Sequence, residues 1–119
     1  MYLGIDLGTS AVKTILVDGA QRVIASESRA LTIVSPHQGF YEQDPAQWIA
    51  ATFATLDALK ASHGQALAVV EGIGLSGQMH GPTLLDANDK PLRPCILWTT
   101  DAPPRSAASW SSAGLPCAR

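Results

Sequence analysis

Residues 2–17, YLGIDLGTSAVKTILV, contain two apolar runs separated by a turn of small residues. The β-branched and aliphatic side chains on both sides of the LGTSA turn predict a β-hairpin. Gly4 and Gly8 permit another group to approach the backbone closely, and Asp6 is expected near the end of the first strand. The segment therefore predicts a strand that ends in a carboxylate beside a small-residue turn.

Such a turn can bind phosphate through backbone N–H groups and hydroxyls. We expect the hydroxyls of Thr9 and Ser10 to hydrogen-bond phosphate oxygens and Lys13 to add positive charge nearby. Asp6 can hold a hydrated Mg²⁺, a hard cation that prefers oxygen ligands. An ordinary hairpin turn with a solvated Asp6 explains the same residues equally well. Neither of the common glycine-rich nucleotide motifs, G-x-x-x-x-G-K-[ST] and G-x-G-x-x-G, is present, so a nucleotide site here is of another kind.

The composition indicates one small globular domain. The chain has 119 residues, of which 46% are hydrophobic and 15% charged. Its net charge of -2 is not the positive charge that binding to nucleic acid or to an anionic membrane would favour. No apolar stretch approaches the roughly 20 residues of a spanning helix, and we expect a cytoplasmic protein. Cys95 and Cys117 lack metal-ligand spacing and are expected to be buried or incidental thiols.

The rest of the chain predicts strands, then a helix, then strands again. Asp44 as N-cap and Pro45 at the first helical position predict a helix start, and the helix is expected to end near residues 62–64. The other predicted elements are a strand over 22–31, a loop over 32–44, a strand over 68–75, a turn over 76–81 and a hairpin that pairs 83–85 with 94–98.

Several residues in this part of the chain are expected to be structural. Glu42, Gln43 and Asp44 resemble an acidic cluster, but a helix cap and the helix dipole account for them. His37 and His63 are expected on the surface. Helical spacing predicts a buried face on the helix, made of Trp48, Ile49, Thr52, Phe53, Leu56 and Leu59.

Four segments of the sequence, GIDLGTSAVK, YEQDPAQW, GIGLSGQMHG and PLRPCILW, resemble in order and spacing the N-terminal part of FGGY carbohydrate kinases. The resemblance covers residues 1–98, and GQMHG is its most discriminating motif. It implies an α/β fold, namely the incomplete N-terminal domain of the ribonuclease-H-like fold that actin, hexokinase and the sugar kinases share.

The resemblance also implies site residues. In these kinases the DLGTS turn contacts the ATP phosphates and the metal, which implies that role for Asp6, Gly8, Thr9, Ser10 and Lys13, with Asp6 holding Mg²⁺ through water. The Met-His pair of GQMHG contacts the sugar, which implies that Met79 and His80 bind substrate with Gln78 close by. An imidazole suits a polyol, because its ring can donate to and accept from hydroxyls. Trp98 borders the region of the sugar site and is a further candidate.

The implied activity of the full-length parent is ATP-dependent phosphorylation of a pentulose, most closely D-xylulose to D-xylulose 5-phosphate. The alternatives are another sugar of the family (ribulose, gluconate or glycerol) and a non-catalytic, association-prone fragment. The expected cofactors are ATP and Mg²⁺, the expected partner is the sugar, and a homodimeric parent is one expected assembly. The family's general-base aspartate has no counterpart in residues 1–98, so we expect this chain alone to be inactive.

The pattern changes at residue 99. Residues 99–119 are rich in Ala, Pro and Ser with few large aliphatic side chains, which predicts a disordered tail. The family continues after the tryptophan with a segment close to NDGRSAAECxEL. One base restored after the Trp98 codon, with a suitable choice of synonymous codons, lets residues 99–111 encode NDGRSAAECGELE. We therefore expect the tail to be a frameshift product of a sugar-kinase gene.

Overall fold

The LGTSA turn forms the predicted hairpin. In the computed structural model, which describes residues 1–101, β1 (Tyr2–Leu7) pairs antiparallel with β2 (Ala11–Val17), and β2 pairs antiparallel with β3 (Val23–Ala30). The third strand lies within the predicted range. The two runs of aliphatic side chains around the turn thus build the first two strands of the sheet, and the next segment of the chain adds the third.

A helix and a parallel strand complete the main sheet. α1 (Pro45–Ala68) begins as predicted, because the Asp44 carboxylate accepts a hydrogen bond of 2.9 Å from the backbone N–H of Ala46. β5 (Gly72–Gly77) then pairs parallel with β1, which gives the strand order β3-β2-β1-β5. This mixed sheet with a helix on one face confirms the predicted α/β class.

The core lies between α1 and one face of the sheet. One buried cluster joins Leu3, Leu16 and Leu59, and a second joins Val12, Leu31 and Ala51. Along β2 the buried residues Val12, Thr14 and Leu16 alternate with less buried ones, so the sheet buries one face against the helix and leaves the other open. No helix within residues 1–101 is long and apolar enough to cross a membrane.

The predicted helix end was wrong. The predicted end, near residues 62–64, coincides with His63, whose backbone angles are non-helical (φ -136, ψ 37). The helix resumes after this residue and continues to Ala68. Ala66 and Leu67 extend it because both favour helix and both pack against the first core cluster. The predicted strand over 68–75 was therefore placed too early, since its first residues belong to the helix end and β5 begins at Gly72.

The predicted buried face of α1 was also partly wrong. Ile49 and Phe53 are exposed, whereas Ala51 and Thr55 are buried beside Leu59. Small side chains allow the helix to approach the sheet closely, so the buried face is rotated from the one that the large apolar residues predicted.

A second, two-stranded sheet replaces the predicted late hairpin. β6 (Cys95–Ile96) pairs with β4 (Glu42–Gln43), which lies inside the predicted loop over 32–44. Residues 83–85 contribute only an isolated bridge, between Leu85 and Pro91, which closes a tight turn over 86–90. The hairpin stays short because prolines donate no backbone hydrogen bond and cannot extend a ladder.

Residues 99–101 are part of the described fold. The Thr100 hydroxyl accepts from the backbone N–H of Tyr41 and donates to its carbonyl, both at 3.0 Å, and the Asp101 N–H donates to Gly39 at 2.9 Å. The first three residues of the predicted tail are thus hydrogen-bonded, directly or through their neighbours, to the segment over 39–41. The remainder of the predicted tail, residues 102–119, lies outside the described residues.

Candidate functional site

The carboxyl ends of β1 and β5 lie side by side, because parallel strands paired in register end at the same edge of a sheet. Asp6 pairs with Ser76 and Leu7 pairs with Gly77. The backbone N–H of Gln78 also donates to the Leu7 carbonyl at 2.8 Å. The LGTSA turn and the GQMHG segment, about 70 residues apart in sequence, therefore meet at one edge of the sheet.

The turn after β1 is tight and leaves little room for a side chain at Gly8. The Gly8 N–H donates to the Ala11 carbonyl at 3.0 Å, and a Cβ atom at Gly8 would lie 3.0 Å from that same oxygen. Because the Ala11 oxygen belongs to the main chain of the turn, the turn would have to shift to accept a side chain at this position. Behind the turn, the Leu31 N–H donates to the Ser10 carbonyl at 2.8 Å and ties it to the end of β3.

Asp6 is exposed at the end of β1, as predicted. Its Oδ1 atom accepts a hydrogen bond of 2.6 Å from the Ser76 hydroxyl, which orients the carboxylate. Lys13 is its cross-strand partner on β2. Residues 1–101 contain no group of three or more His, Cys, Asp or Glu side chains placed to hold a metal. A single oriented carboxylate fits Mg²⁺, which keeps most of its waters and takes its other ligands from substrate phosphates.

Thr9 connects the turn to two other segments. Its hydroxyl donates to Gln78 Oε1 and accepts from the indole Nε1 of Trp98, each at 3.1 Å. These bonds join the turn to the GQMHG segment on one side and to the residue after β6 on the other. Trp98, a candidate from the resemblance, thus lies at the same site.

Gln43 lies beneath the turn and was not predicted as a site residue. It is fully buried, its Nε2 atom donates to the Thr9 carbonyl at 2.7 Å, and its Oε1 atom accepts from Trp48 Nε1 at 3.0 Å. Gln78 Nε2 also approaches Gln43 Oε1 at 3.4 Å. The sequence carried one signal of this role, since Gln43 and Trp48 both lie in YEQDPAQW, one of the four segments on which the resemblance rests.

A groove of about 270 Å³ opens between the turn and the GQMHG segment. Five of the eight predicted site residues line it, namely Asp6, Gly8, Thr9, Gln78 and Met79. Gly77 and Trp98 complete the lining. Ser10, Lys13 and His80 do not line this groove. Lys13 instead lines a second cavity of about 420 Å³ on the open sheet face, next to Asp6, Ile15 and Gly74.

His80 is exposed and has a left-handed backbone conformation, with φ 59. Non-glycine residues adopt this region rarely, and histidine is one of the types that tolerate it. The bend turns the chain away from β5 towards the segment that leads to β6. Cys95 of β6 lies beneath this bend, because a Cβ at Gly81 would come within 3.1 Å of its Sγ atom.

Two carboxylates with lowered pKa values lie in turns outside the groove. The pKa of Asp18 is lowered chiefly by the backbone N–H of Arg22, and that of Asp86 chiefly by the backbone N–H of Lys90. Both aspartates accept hydrogen bonds that favour the charged form. They stabilise turns and do not contribute charge to the groove.

Comparison with known proteins gives a consistent assignment. The N-terminal domain of the FGGY family of carbohydrate kinases matches residues 1–115. The chain is 50% identical over 98 residues to a xylulose kinase of Escherichia coli (strain K12), which covers 82% of this chain and 20% of that protein. A crystal structure of a "xyloylose kinase" from Brucella ovis superposes with a TM-score of 0.84 at 50% identity, covering 95% of this chain and 24% of the other.

The fold extends to more distant sugar kinases. A Plasmodium falciparum glycerol kinase solved with ADP superposes with a TM-score of 0.76 at 20% identity over 97% of this chain and 23% of that chain. At that identity the likeness concerns the fold alone. The chain spans about one fifth of the length of the curated relatives it matches.

Proposed function

Because the chain belongs to the FGGY family of carbohydrate kinases, we propose that it forms part of the site at which a xylulose kinase transfers phosphate from ATP to D-xylulose. The observation that supports this most strongly is the single groove shared by the LGTSA turn and the GQMHG segment. A kinase needs its phosphate and its acceptor hydroxyl side by side, and phosphoryl transfer depends mainly on such positioning and on charge neutralisation.

The phosphate end of the proposed site consists of Asp6, Gly8 and Ser10. Asp6 is exposed and oriented by Ser76, which suits a carboxylate that holds hydrated Mg²⁺ at the ATP phosphates. The ion, when bound, neutralises charge on the transferring phosphoryl group. Ser10 is exposed on the turn and supplies a hydroxyl, while Lys13 adds positive charge across the strand from Asp6.

The sugar end of the proposed site consists of Gln78, Met79 and His80. Gln78 and Met79 line the groove, and His80 follows them in the bend after β5. Amide and imidazole groups donate to and accept from sugar hydroxyls, whereas the exposed Met79 and Trp98 side chains offer apolar contact. We assign the sugar as D-xylulose because relatives at about 50% identity are xylulose kinases.

We expect the 119-residue chain alone to have no kinase activity. A general base must reach the hydroxyl that it deprotonates, and Asp6 is the single carboxylate among the described residues that line the groove. Asp6 serves the metal and phosphates in this proposal. The base and the adenosine contacts would come from the part of a kinase that follows this segment, with closure of the cleft excluding water. The proposed location is the cytoplasm.

A chimera tests the proposed function. The matched 98-residue segment of this chain replaces its counterpart in the Escherichia coli xylulose kinase, and a coupled assay follows ADP release with D-xylulose and Mg-ATP. We expect xylulose-dependent turnover, preference for D-xylulose over ribulose, gluconate and glycerol, and loss of turnover in Asp6→Asn. A folded chimera without sugar-dependent turnover would contradict the proposal, and a different preferred sugar would correct the substrate alone.

One observation favours a second candidate, a non-catalytic fragment that associates with another chain. Ile73 and Leu75 are 63% and 78% exposed on β5, the edge strand beside β1, and Ile49 and Phe53 are both 62% exposed on α1. An exposed apolar edge strand is a template for pairing. A chain that elutes as a clean monomer in gel filtration would argue against this candidate.

A further inference from the structure

The orientation of the Gln43 amide is fixed by its partners. An indole N–H can only donate, so the atom that faces Trp48 Nε1 at 3.0 Å must be the Gln43 oxygen. The nitrogen then faces the Thr9 carbonyl at 2.7 Å, which can only accept. The two contacts require the same orientation, and the amide is fully buried. Gln43 therefore holds the main chain of the turn in one place from below.

The Thr9 hydroxyl has a similarly fixed role. The Trp98 indole donates to its oxygen, so the single hydroxyl proton is left for the acceptor Gln78 Oε1. While the Thr9 hydroxyl donates its proton to Gln78, it cannot donate to a phosphate oxygen. The side chain of Thr9 thus ties the turn to the GQMHG segment, and on the turn the free hydroxyl for phosphate is that of the exposed Ser10.

We propose that Gln43 is a positioning residue, which through Thr9 and Gln78 fixes the distance between the phosphate turn and the sugar-binding segment. The inference rests on the proposed kinase function. Gln43 lines no part of the groove and acts through the residues that do. Its Oε1 atom, 3.4 Å from Gln78 Nε2, and its Nε2 atom, bonded to Thr9, give one buried amide a contact with each of the two segments.

Two variants remove this link in different ways. Gln43→Leu has similar bulk but leaves the Thr9 carbonyl and the Trp48 N–H without their partner. Gln43→Glu keeps an acceptor for Trp48 but places an oxygen against the Thr9 carbonyl, so the turn must move. The chain offers a matched control in Gln47, whose amide accepts from the Thr32 N–H at 2.7 Å and donates to the Thr32 carbonyl at 3.0 Å, away from the groove.

The test compares two rates in the kinase chimera: ADP release with D-xylulose, and the slow release without sugar, in which water is the acceptor. Loss of positioning penalises transfer to the sugar more than transfer to water, whereas a lower amount of folded enzyme lowers both rates in parallel. We expect Gln43→Leu and Gln43→Glu to reduce the ratio of the two rates by about 10-fold or more. Gln47→Leu should leave the ratio unchanged.

Each outcome decides one question. A wild-type chimera without xylulose-dependent turnover contradicts the proposed function and not the role of Gln43. An active chimera whose rate ratio is the same in wild type, Gln43→Leu and Gln43→Glu overturns the inference. If Gln43→Leu does not fold, the rate ratio is measured in Gln43→Glu and in Thr9→Val. Thr9→Val removes the hydrogen bonds of the Thr9 hydroxyl to Gln78 and Trp98 and should lower the same ratio.

Discussion

At the scale of single residues, the site combines positions that sequence reasoning could identify with one that it missed. Asp6, Gly8 and Gln78 stand out because an acid, a glycine turn and a motif are visible in the chain. Gln43 does not, since a glutamine before a helix cap has many ordinary explanations. Its role depends on three partners from three segments, Thr9, Trp48 and Gln78, whose meeting only the folded structure defines.

Gly8 gives a residue-scale prediction. In Gly8→Ala the new Cβ would lie 3.0 Å from the Ala11 carbonyl oxygen, a backbone atom that can move away only if the main chain of the turn shifts. We expect a loss of about 1–3 kcal/mol in the free energy of unfolding, measured by urea denaturation of the 119-residue chain.

Gly19→Ala is the control for that measurement, because a Cβ at Gly19 would meet nothing within 4 Å. We expect this variant to raise the free energy of unfolding slightly, by at most about 1 kcal/mol. Equal losses in both variants would show that the tight contact at Gly8 is unimportant.

At the scale of elements, local sequence patterns correctly predicted the hairpin, the third strand and the start of α1. A cap, an alternation or a turn acts over a few residues, and these elements depend on such features. The end of α1 and its buried face depended on packing instead. Ala66 and Leu67 contact the core and prolong the helix past His63, while Ala51 and Thr55 determine which side meets the sheet. Helical spacing alone could not distinguish this face from the one with Ile49 and Phe53.

The turn between β2 and β3 gives a pH prediction. The Asp18 carboxylate accepts from the backbone N–H groups of Ala20 and Arg22, both at 2.9 Å, and its pKa lies below the ordinary value of 3.8. Since the pKa is lower in the folded chain, this stabilisation is complete above the unfolded-state pKa and is lost as pH falls through the folded-state pKa.

We therefore expect Asp18→Asn to melt at a lower temperature than wild type at neutral pH, with a difference that shrinks as pH falls below 3.8. Thermal unfolding followed by circular dichroism across that range measures it. Asp57→Asn, on the exposed side of α1, is a suitable comparison. A gap between Asp18→Asn and wild type that stays constant into acid would rule out this contribution of the carboxylate.

At the scale of the whole molecule, the arrangement that makes the site is the parallel pairing of β1 with β5. No local pattern predicts that strands about 70 residues apart are neighbours. The same arrangement leaves β5 at an edge of the sheet, with Leu75 78% exposed. The described residues thus contain the groove and, next to it, an edge strand with no neighbour on its outer side.

This edge predicts association of the isolated chain. We expect concentration-dependent elution ahead of a monomer in gel filtration, and a shift towards monomer in Leu75→Lys, because lysine on an edge strand opposes pairing. Val23→Lys is the matched control, since Val23 is 60% exposed on β3 at the opposite edge. If both variants shift the elution equally, the contact is not specific to β5.

The separation in sequence between β1 and β5 also sets the order in which the groove can form during synthesis. The hairpin and β3 join near neighbours, whereas Asp6 meets Ser76 only after α1 has crossed the sheet and a loop of about 70 residues has closed. Contacts between distant segments form late, because their closure entropy must be offset by structure already in place. The pairing of β1, β2 and β3 can thus precede the groove, which exists only once the GQMHG segment has reached the LGTSA turn.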